Sequence, residues 1–285
     1  MTITEADLDL PGGRTLHVYD TGNPARLTVL WHHGTPNLGA PPGPLLPLSE
    51  TLGIRWIGYD RPGYGSSTPV PDRTVGDAAE YAAAVADALG VGRFAVMGHS
   101  GGCSPALATA ALLPDRVVAV AILAAVAPFE AEGWFDGMAA ASAESLGAAA
   151  EGRAAKEKYE AAAEFDPDVF TEADFAALNG SWNWLNDVVR PALGAVGLID
   201  DDLSAVRPWG CDLAAITAPV LLVHGEDDRM IPATHSKWLA ERIPGAELRV
   251  SPGDGHISVL SHAADALTWL AGQDSSASDA TTGAR

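Results

Sequence analysis

Apolar runs of strand length recur along this chain, separated by stretches whose apolar positions follow a helical period. Leu8-Asp9-Leu10 and Leu16-His17-Val18-Tyr19 flank a Pro11-Gly12-Gly13 turn and predict an opening hairpin. Leu27-Thr28-Val29-Leu30-Trp31 is nearly unbroken in its apolar character, as in a strand covered on both faces. Further strands are predicted at Ile54–Ile57, Phe94–Met97, Val117–Leu123, Val220–Val223 and Glu247–Val250. A short helix is expected after Pro47, and a longer one from a Thr74 or Asp77 cap to Leu89, where Gly90 stops it. Cys103–Leu113, Ala233–Arg242 and Ile257 to about Leu270 supply the other helices around the strands. Strands alternating with helices predict an α/β fold, a mostly parallel eight-stranded sheet flanked by helices.

The alternation breaks at Pro128. From Phe129 to about Asp212 the chain is Ala-rich, helical in pattern and punctuated by Gly and Pro, and it holds Trp134, Trp182, Trp184 and Trp209. Residues 128–212 are therefore expected to form a helical cap inserted after the sixth strand, with residues 1–127 and 213–272 as the core. An insertion between two strands of a parallel sheet is well placed to act as a lid. Residues 273–285 are rich in Ser, Thr, Ala and Asp without an apolar pattern, so a disordered tail is expected.

Composition narrows the function. The chain has 285 residues, 47% of them hydrophobic and 19% charged, which suits a globular protein with an ample core. Its 17 basic and 37 acidic residues give a net charge of −20, which repels phosphate backbones and anionic lipid, so neither nucleic acid nor membrane is an expected partner. Val117–Pro128 is apolar but too short to span a bilayer. Cys103 and Cys211 have no metal-type spacing, and with no secretory leader the expectation is a cytoplasmic protein without a disulfide.

The chemistry begins at Gly98-His99-Ser100-Gly101-Gly102, a G-x-S-x-G pattern between a predicted strand and a predicted helix. The pattern alone also fits a glycine-rich turn with a surface serine; the flanking elements favour an elbow that projects the Ser100 hydroxyl from the sheet. A serine hydroxyl needs a base. His17, His235 and His262 fall within elements, and His224 stands before the acidic Gly225-Glu226-Asp227-Asp228. His256 lies in a loop between the last strand and the last helix, at the strand ends where such sites form, and is the expected base. Asp228 is the expected acid, with Asp227 second and Glu130 third, and the order Ser100, Asp228, His256 fits this architecture. Gly101 N–H and the N–H of Thr35, after His33-Gly34, are the expected oxyanion donors.

With these residues in place the chain resembles the lidded α/β-hydrolase-fold enzymes: esterases, proline iminopeptidases, cofactor-free haloperoxidase-like enzymes, C–C bond hydrolases and epoxide hydrolases. The resemblance spans about Leu8 to Ala271. It rests on His33-Gly34-Thr35-Pro36, the Tyr59–Ser67 loop, the Ser100 elbow, His224–Asp228 with Pro232, and Gly255-His256. It implies a serine hydrolase needing neither metal nor cofactor, a monomer or homodimer acting on a small or medium ester or thioester. Ser100 instead of Asp at the nucleophile position disfavours epoxide hydrolysis, and His33-Gly34-Thr35-Pro36-Asn37 stands where the iminopeptidases have H-G-G-P-G. Amide or C–C cleavage, a lyase or acyltransferase reaction, and simple ligand binding are the alternatives. In this frame Asp60 and Arg61 brace strand ends, and His99 is a frequent neighbour of the nucleophile that also stands among the pocket residues. Trp134, Phe135, Trp182 and Trp184 either line an apolar substrate pocket or form the cap's own core.

Overall fold

The computed structural model describes residues 1–22 and 25–282, and side chains as far as Gln273. β1 (Thr4–Leu10) and β2 (Arg14–Asp20) form the opening hairpin, followed by β3 (Leu27–His32), α1 (Leu46–Leu52) and β4 (Ile54–Tyr59). Next come α2 (Ala78–Ala88), β5 (Phe94–His99), α3 (Cys103–Leu112) and β6 (Val117–Leu123). Five helices then intervene before the sheet resumes: α4 (Ala140–Glu151), α5 (Arg153–Glu160), α6 (Glu172–Leu178), α7 (Trp184–Val189) and α8 (Val196–Ala205). β7 (Val220–Gly225), α9 (Thr234–Ala240), β8 (Glu247–Ser251) and α10 (Ala263–Thr282) complete the chain.

The eight strands form one sheet in the order β1-β2-β4-β3-β5-β6-β7-β8. Among the described residues only the pairings of β2 are antiparallel; from β4 across to β8 the strands run parallel. Alternate side chains of the central strands feed two cores. Leu30, Val96, Val120, Ile122 and Leu222 pack with α2 and α3 on one face, whereas Val29, Trp31, Met97, Leu123 and Val223 pack with α10 on the other. Each such side chain contributes about 1.5–3 kcal/mol by leaving water, so register is strongly specified.

Local chemistry sets several boundaries. Asp77 precedes α2 as expected, but its carboxylate accepts from Thr74 N at 2.7 Å rather than from the helix. α6 carries a reciprocal capping box: Thr171 Oγ1 accepts from Asp174 N and Asp174 Oδ2 accepts from Thr171 N. The last helix begins later than expected, after a 3-10 turn at Ser258–His262, and ends later. It continues to Thr282, into the segment expected to be a disordered tail, because no Gly or Pro interrupts 273–282; residues 283–285 of that expectation lie outside the described residues. Among the described residues no helix is long and apolar enough to cross a membrane.

Candidate active site

The site lies at the carboxyl ends of the parallel strands, where β5 meets α3. Ser100 has φ +53°, a left-handed conformation that costs a non-glycine residue on the order of 1–3 kcal/mol and persists where the surroundings over-determine it. Glycine is required on both sides of it. A Cβ on Gly98 would stand 2.6 Å from Gly102 O, and one on Gly102 would overlap the carbonyl oxygens of His32 and His33. The pattern Gly98-x-Ser100-x-Gly102 is thus what allows the strand to turn into the helix without displacing β3.

Two further strand-end loops bring His256 and Asp228 to this serine. Ser100 Oγ is 2.8 Å from His256 Nε2, and His256 Nδ1 is 2.7 Å from Asp228 Oδ2. With Nδ1–H directed at the carboxylate, Nε2 is left as the acceptor for the serine hydroxyl. Asp228 Oδ1 accepts from the N–H groups of Met230 and Ile231, both at 2.9 Å, which orients the carboxylate. Burial alone would raise the Asp228 carboxyl, yet His256 and His224 hold it well below the ordinary carboxylate range. For His256, burial opposes the imidazolium, but Asp228 outweighs it and the imidazole lies above its ordinary value. Asp227 and Glu130, the other acids considered, are exposed, whereas Asp228 is 4% exposed.

The histidines passed over as bases have different partners. His17 pairs with Asp7 and Glu5, His262 bonds Ser251 and Asp254, and His235 lies between Ala127 N and the Trp134 carbonyl. His224 Nε2 lies 2.7 Å from Ile231 O and 3.3 Å from Asp228 Oδ2, behind the carboxylate rather than before the serine. His99 donates Nε2–H to His256 O at 3.0 Å. Burial pushes its imidazole down to about 3, so it stays neutral.

The β3 loop approaches Ser100 from the other side. A Cβ built on Gly101 would lie 2.8 Å from Thr35 Cβ and 3.3 Å from Thr35 N, so these two backbones meet beside the serine. Thr35 is held from the inserted helices: its Oγ1 donates to Asp201 Oδ2 at 2.5 Å. Asp201, on α8, also accepts from Arg61 Nε at 3.0 Å, Arg61 Nη2, Tyr64 OH at 2.8 Å and Arg73 Nη2. Arg61 in turn donates to the carbonyls of His33 and Gly34, and Asp60 accepts from Gly39 N at 2.6 Å. Burial opposes the Asp201 charge, but Arg61 and Arg73 outweigh it and hold the carboxyl far below its ordinary value.

A cavity of about 330 Å³ opens over this constellation, between the strand ends and the inserted helices. Ser100, Gly101 and Thr35 line it, with Val75, Val126, Leu146, Leu198 and Ile231 as apolar walls and Tyr159, Phe165 and Phe170 among its aromatic residues. The five side chains considered for the pocket from sequence are not among its lining. Trp134 and Phe135 form an aromatic cluster with Phe129, and Trp134 Nε1 donates to Ala127 O. Trp182 belongs to the core beside α10, Trp184 packs against it and over Gly43, and His99 bonds the His256 loop. Trp134 and Trp182 gain more from burial in the two cores than from a wet cavity wall, and Phe135 and Trp184 pack half-buried against those cores. Arg73, Asp174 and Asp201 escaped sequence reading. Thr171-x-x-Asp174 carries a legible capping-box signal; nothing local marks the other two.

A model of the alpha/beta hydrolase family matches residues 29–268. The 2-hydroxymuconate semialdehyde hydrolase of Pseudomonas putida is 30% identical over 269 residues, 88% of this chain and 87% of that protein. The pimeloyl-[acyl-carrier protein] methyl ester esterase of Nitrosomonas europaea is 27% identical over 257 residues, 87% and 94% of the two chains. For a second such esterase, from Aromatoleum aromaticum, 36% identity extends over 28% of this chain and only 31% of that one. The acetyltransferase component of the Cupriavidus necator acetoin cleaving system is matched at 29% identity over 77% of this chain and 55% of its own length. Among solved structures, a thermophilic esterase from Thermogutta terrifontis superposes with a TM-score of 0.67 at 23% identity, over 96% of this chain and 100% of that one.

Proposed function

The chain belongs to the alpha/beta hydrolase family, and from that premise we propose that it is a serine hydrolase cleaving small or medium carboxylic esters or thioesters. The observation that carries this reading is the hydrogen-bonded chain Ser100–His256–Asp228 opening on the cavity. Ser100 Oγ attacks the carbonyl carbon as its proton passes to His256 Nε2, and Asp228 stabilises the imidazolium. The N–H groups of Gly101 and Thr35 take the oxyanion, aided at Gly101 by the amino end of α3. His256 then protonates the leaving oxygen or sulfur and activates the water that releases the acyl group from Ser100. The 330 Å³ cavity is at the small end of ligand sites, roughly 300–1,000 Å³, which supports a short acyl or alcohol portion. Residues 128–212 act as the cap that walls this cavity.

The test is labelling with a fluorophosphonate together with hydrolysis of 4-nitrophenyl acetate and butyrate. Wild type is expected to label at Ser100 and to turn over both esters, and Ser100→Ala to do neither. Undiminished turnover by Ser100→Ala would overturn the reading. A panel of ester, thioester, amide and C–C substrates then ranks the scissile bond.

A further inference from the structure

Asp174 is a carboxylate of the inserted segment with no exposed surface, yet among the described residues it has no cationic partner. All four of its hydrogen bonds come from neutral donors. Oδ1 accepts from the backbone N–H groups of Ile257 and Ser258, both at 2.8 Å. Oδ2 accepts from Thr171 N and Thr171 Oγ1, both at 2.9 Å. Two of these bonds go to the residues directly following His256. Gly255, directly preceding it, gives Asp174 room, since a Cβ there would overlap the carboxylate. A helix-capping carboxylate needs only its own first turn; this one also closes the loop that holds the imidazole.

We propose that Asp174 is a positioning residue for His256, through which the cap is a working part of the active site as well as its cover. The inference rests on the serine-hydrolase reading. The base loop is held from three directions: Asp228 on the ring Nδ1, His99 on the His256 carbonyl, and Asp174 on the N–H groups that follow. Only the last comes from the inserted segment. A ring that must stay within hydrogen-bond reach of Ser100 at 2.8 Å tolerates little drift of its backbone. The titratable and charged groups facing His256 are Asp228 with His224 behind it, the His99 ring at 5.2 Å, which is neutral, and Asp174. Both carboxylates favour the imidazolium, so removing the Asp174 charge shifts the histidine titration to lower pH.

The variants are Asp174→Asn, which keeps the shape and removes the charge and half the acceptor capacity, and Thr171→Ala, which breaks the capping box but leaves the Asp174 bonds to Ile257 and Ser258. Steady-state hydrolysis of 4-nitrophenyl butyrate across pH is read beside circular dichroism and NMR titration of the His256 ring. Asp174→Asn is expected to lower kcat by at least about tenfold with KM little changed. The acid limb of kcat/KM and the His256 titration should move together to lower pH, while Thr171→Ala leaves both in place. Wild-type kcat and titration in folded Asp174→Asn would overturn the proposal. So would an equal loss in Thr171→Ala, which would assign the effect to helix capping alone. The ring titration needs no turnover, so it tests Asp174 even if Ser100→Ala retains activity and the serine-hydrolase reading fails.

Discussion

Replacing Asp201 with Asn tests how far the inserted helices hold the β3 loop. The change is nearly isosteric, so it opens no cavity and isolates the charge. In the wild type one carboxylate accepts from Arg61, Arg73, Tyr64 and Thr35, with both guanidinium groups buried beside it. An amide replaces one acceptor oxygen by an NH₂ group facing donors, and leaves two buried cations uncompensated. Breaking a buried pair by removing one partner costs about 3–5 kcal/mol. Because Asn keeps one acceptor, the lower end applies, about 3 kcal/mol, or a fall in Tm of roughly 6–10 °C for a chain of this size. Asp201 has a depressed pKa, so its contribution is present above the unfolded carboxylate value and is lost only as pH falls through the folded one. The wild-type advantage should therefore be flat from about pH 5 upward and narrow only in strong acid. Thr35 loses its carboxylate partner at the same time, so kcat is expected to fall by about tenfold or more, short of the 10²–10³ for removing an oxyanion donor outright. Thermal unfolding by circular dichroism and ester turnover measure the two effects. A variant with wild-type Tm and kcat would refute the argument that Asp201 holds Thr35 in place.

Three other expectations follow from the site and its surroundings. Trp134→Ala should destabilise by about 3–5 kcal/mol in urea unfolding yet leave KM for small esters unchanged, since Trp134 does not line the cavity; a large rise in KM would contradict that boundary. Gly102→Ala drives a Cβ into two β3 carbonyls and should cost about 1–3 kcal/mol or more with a collapse of kcat, measured on folded protein. The acid limb of kcat/KM should lie above 6.5, because Asp228 raises His256; Asp228→Asn should lower that limb and reduce kcat by about 10⁴, and an unshifted limb would count against His256 as the titrating base.

Much of the core was legible because its signals are local. Val29-Leu30-Trp31 and Val220–Val223 read as buried strands because continuous apolar runs of that length satisfy both faces of a sheet at once. The elbow was legible because the left-handed turn at Ser100 excludes side chains at positions 98 and 102. The acid stayed open among Asp228, Asp227 and Glu130, since a carboxylate in the loop after a strand differs from its neighbours only in where the loop turns it. The cap aromatics were ambiguous for a related reason. A tryptophan on a helix signals burial, but its sequence does not say whether a core or a ligand does the burying.

By itself, then, the sequence determined the alternating elements and the glycine-flanked turn at Ser100, and it set Asp228 and His256 in loops after later strands, because periodicity and turn chemistry act over a few residues. Tertiary structure alone decided what the inserted helices do to the site. Asp174 reaches Ile257 across 83 residues and Asp201 reaches Thr35 across 166, one beside His256 and one behind the β3 loop. In sequence both are acidic residues on helices, and neither carries a signal of the distant loop it meets. Only docking against the strand ends removes water from them, and a carboxylate deprived of water must take whichever donors the opposite loop presents.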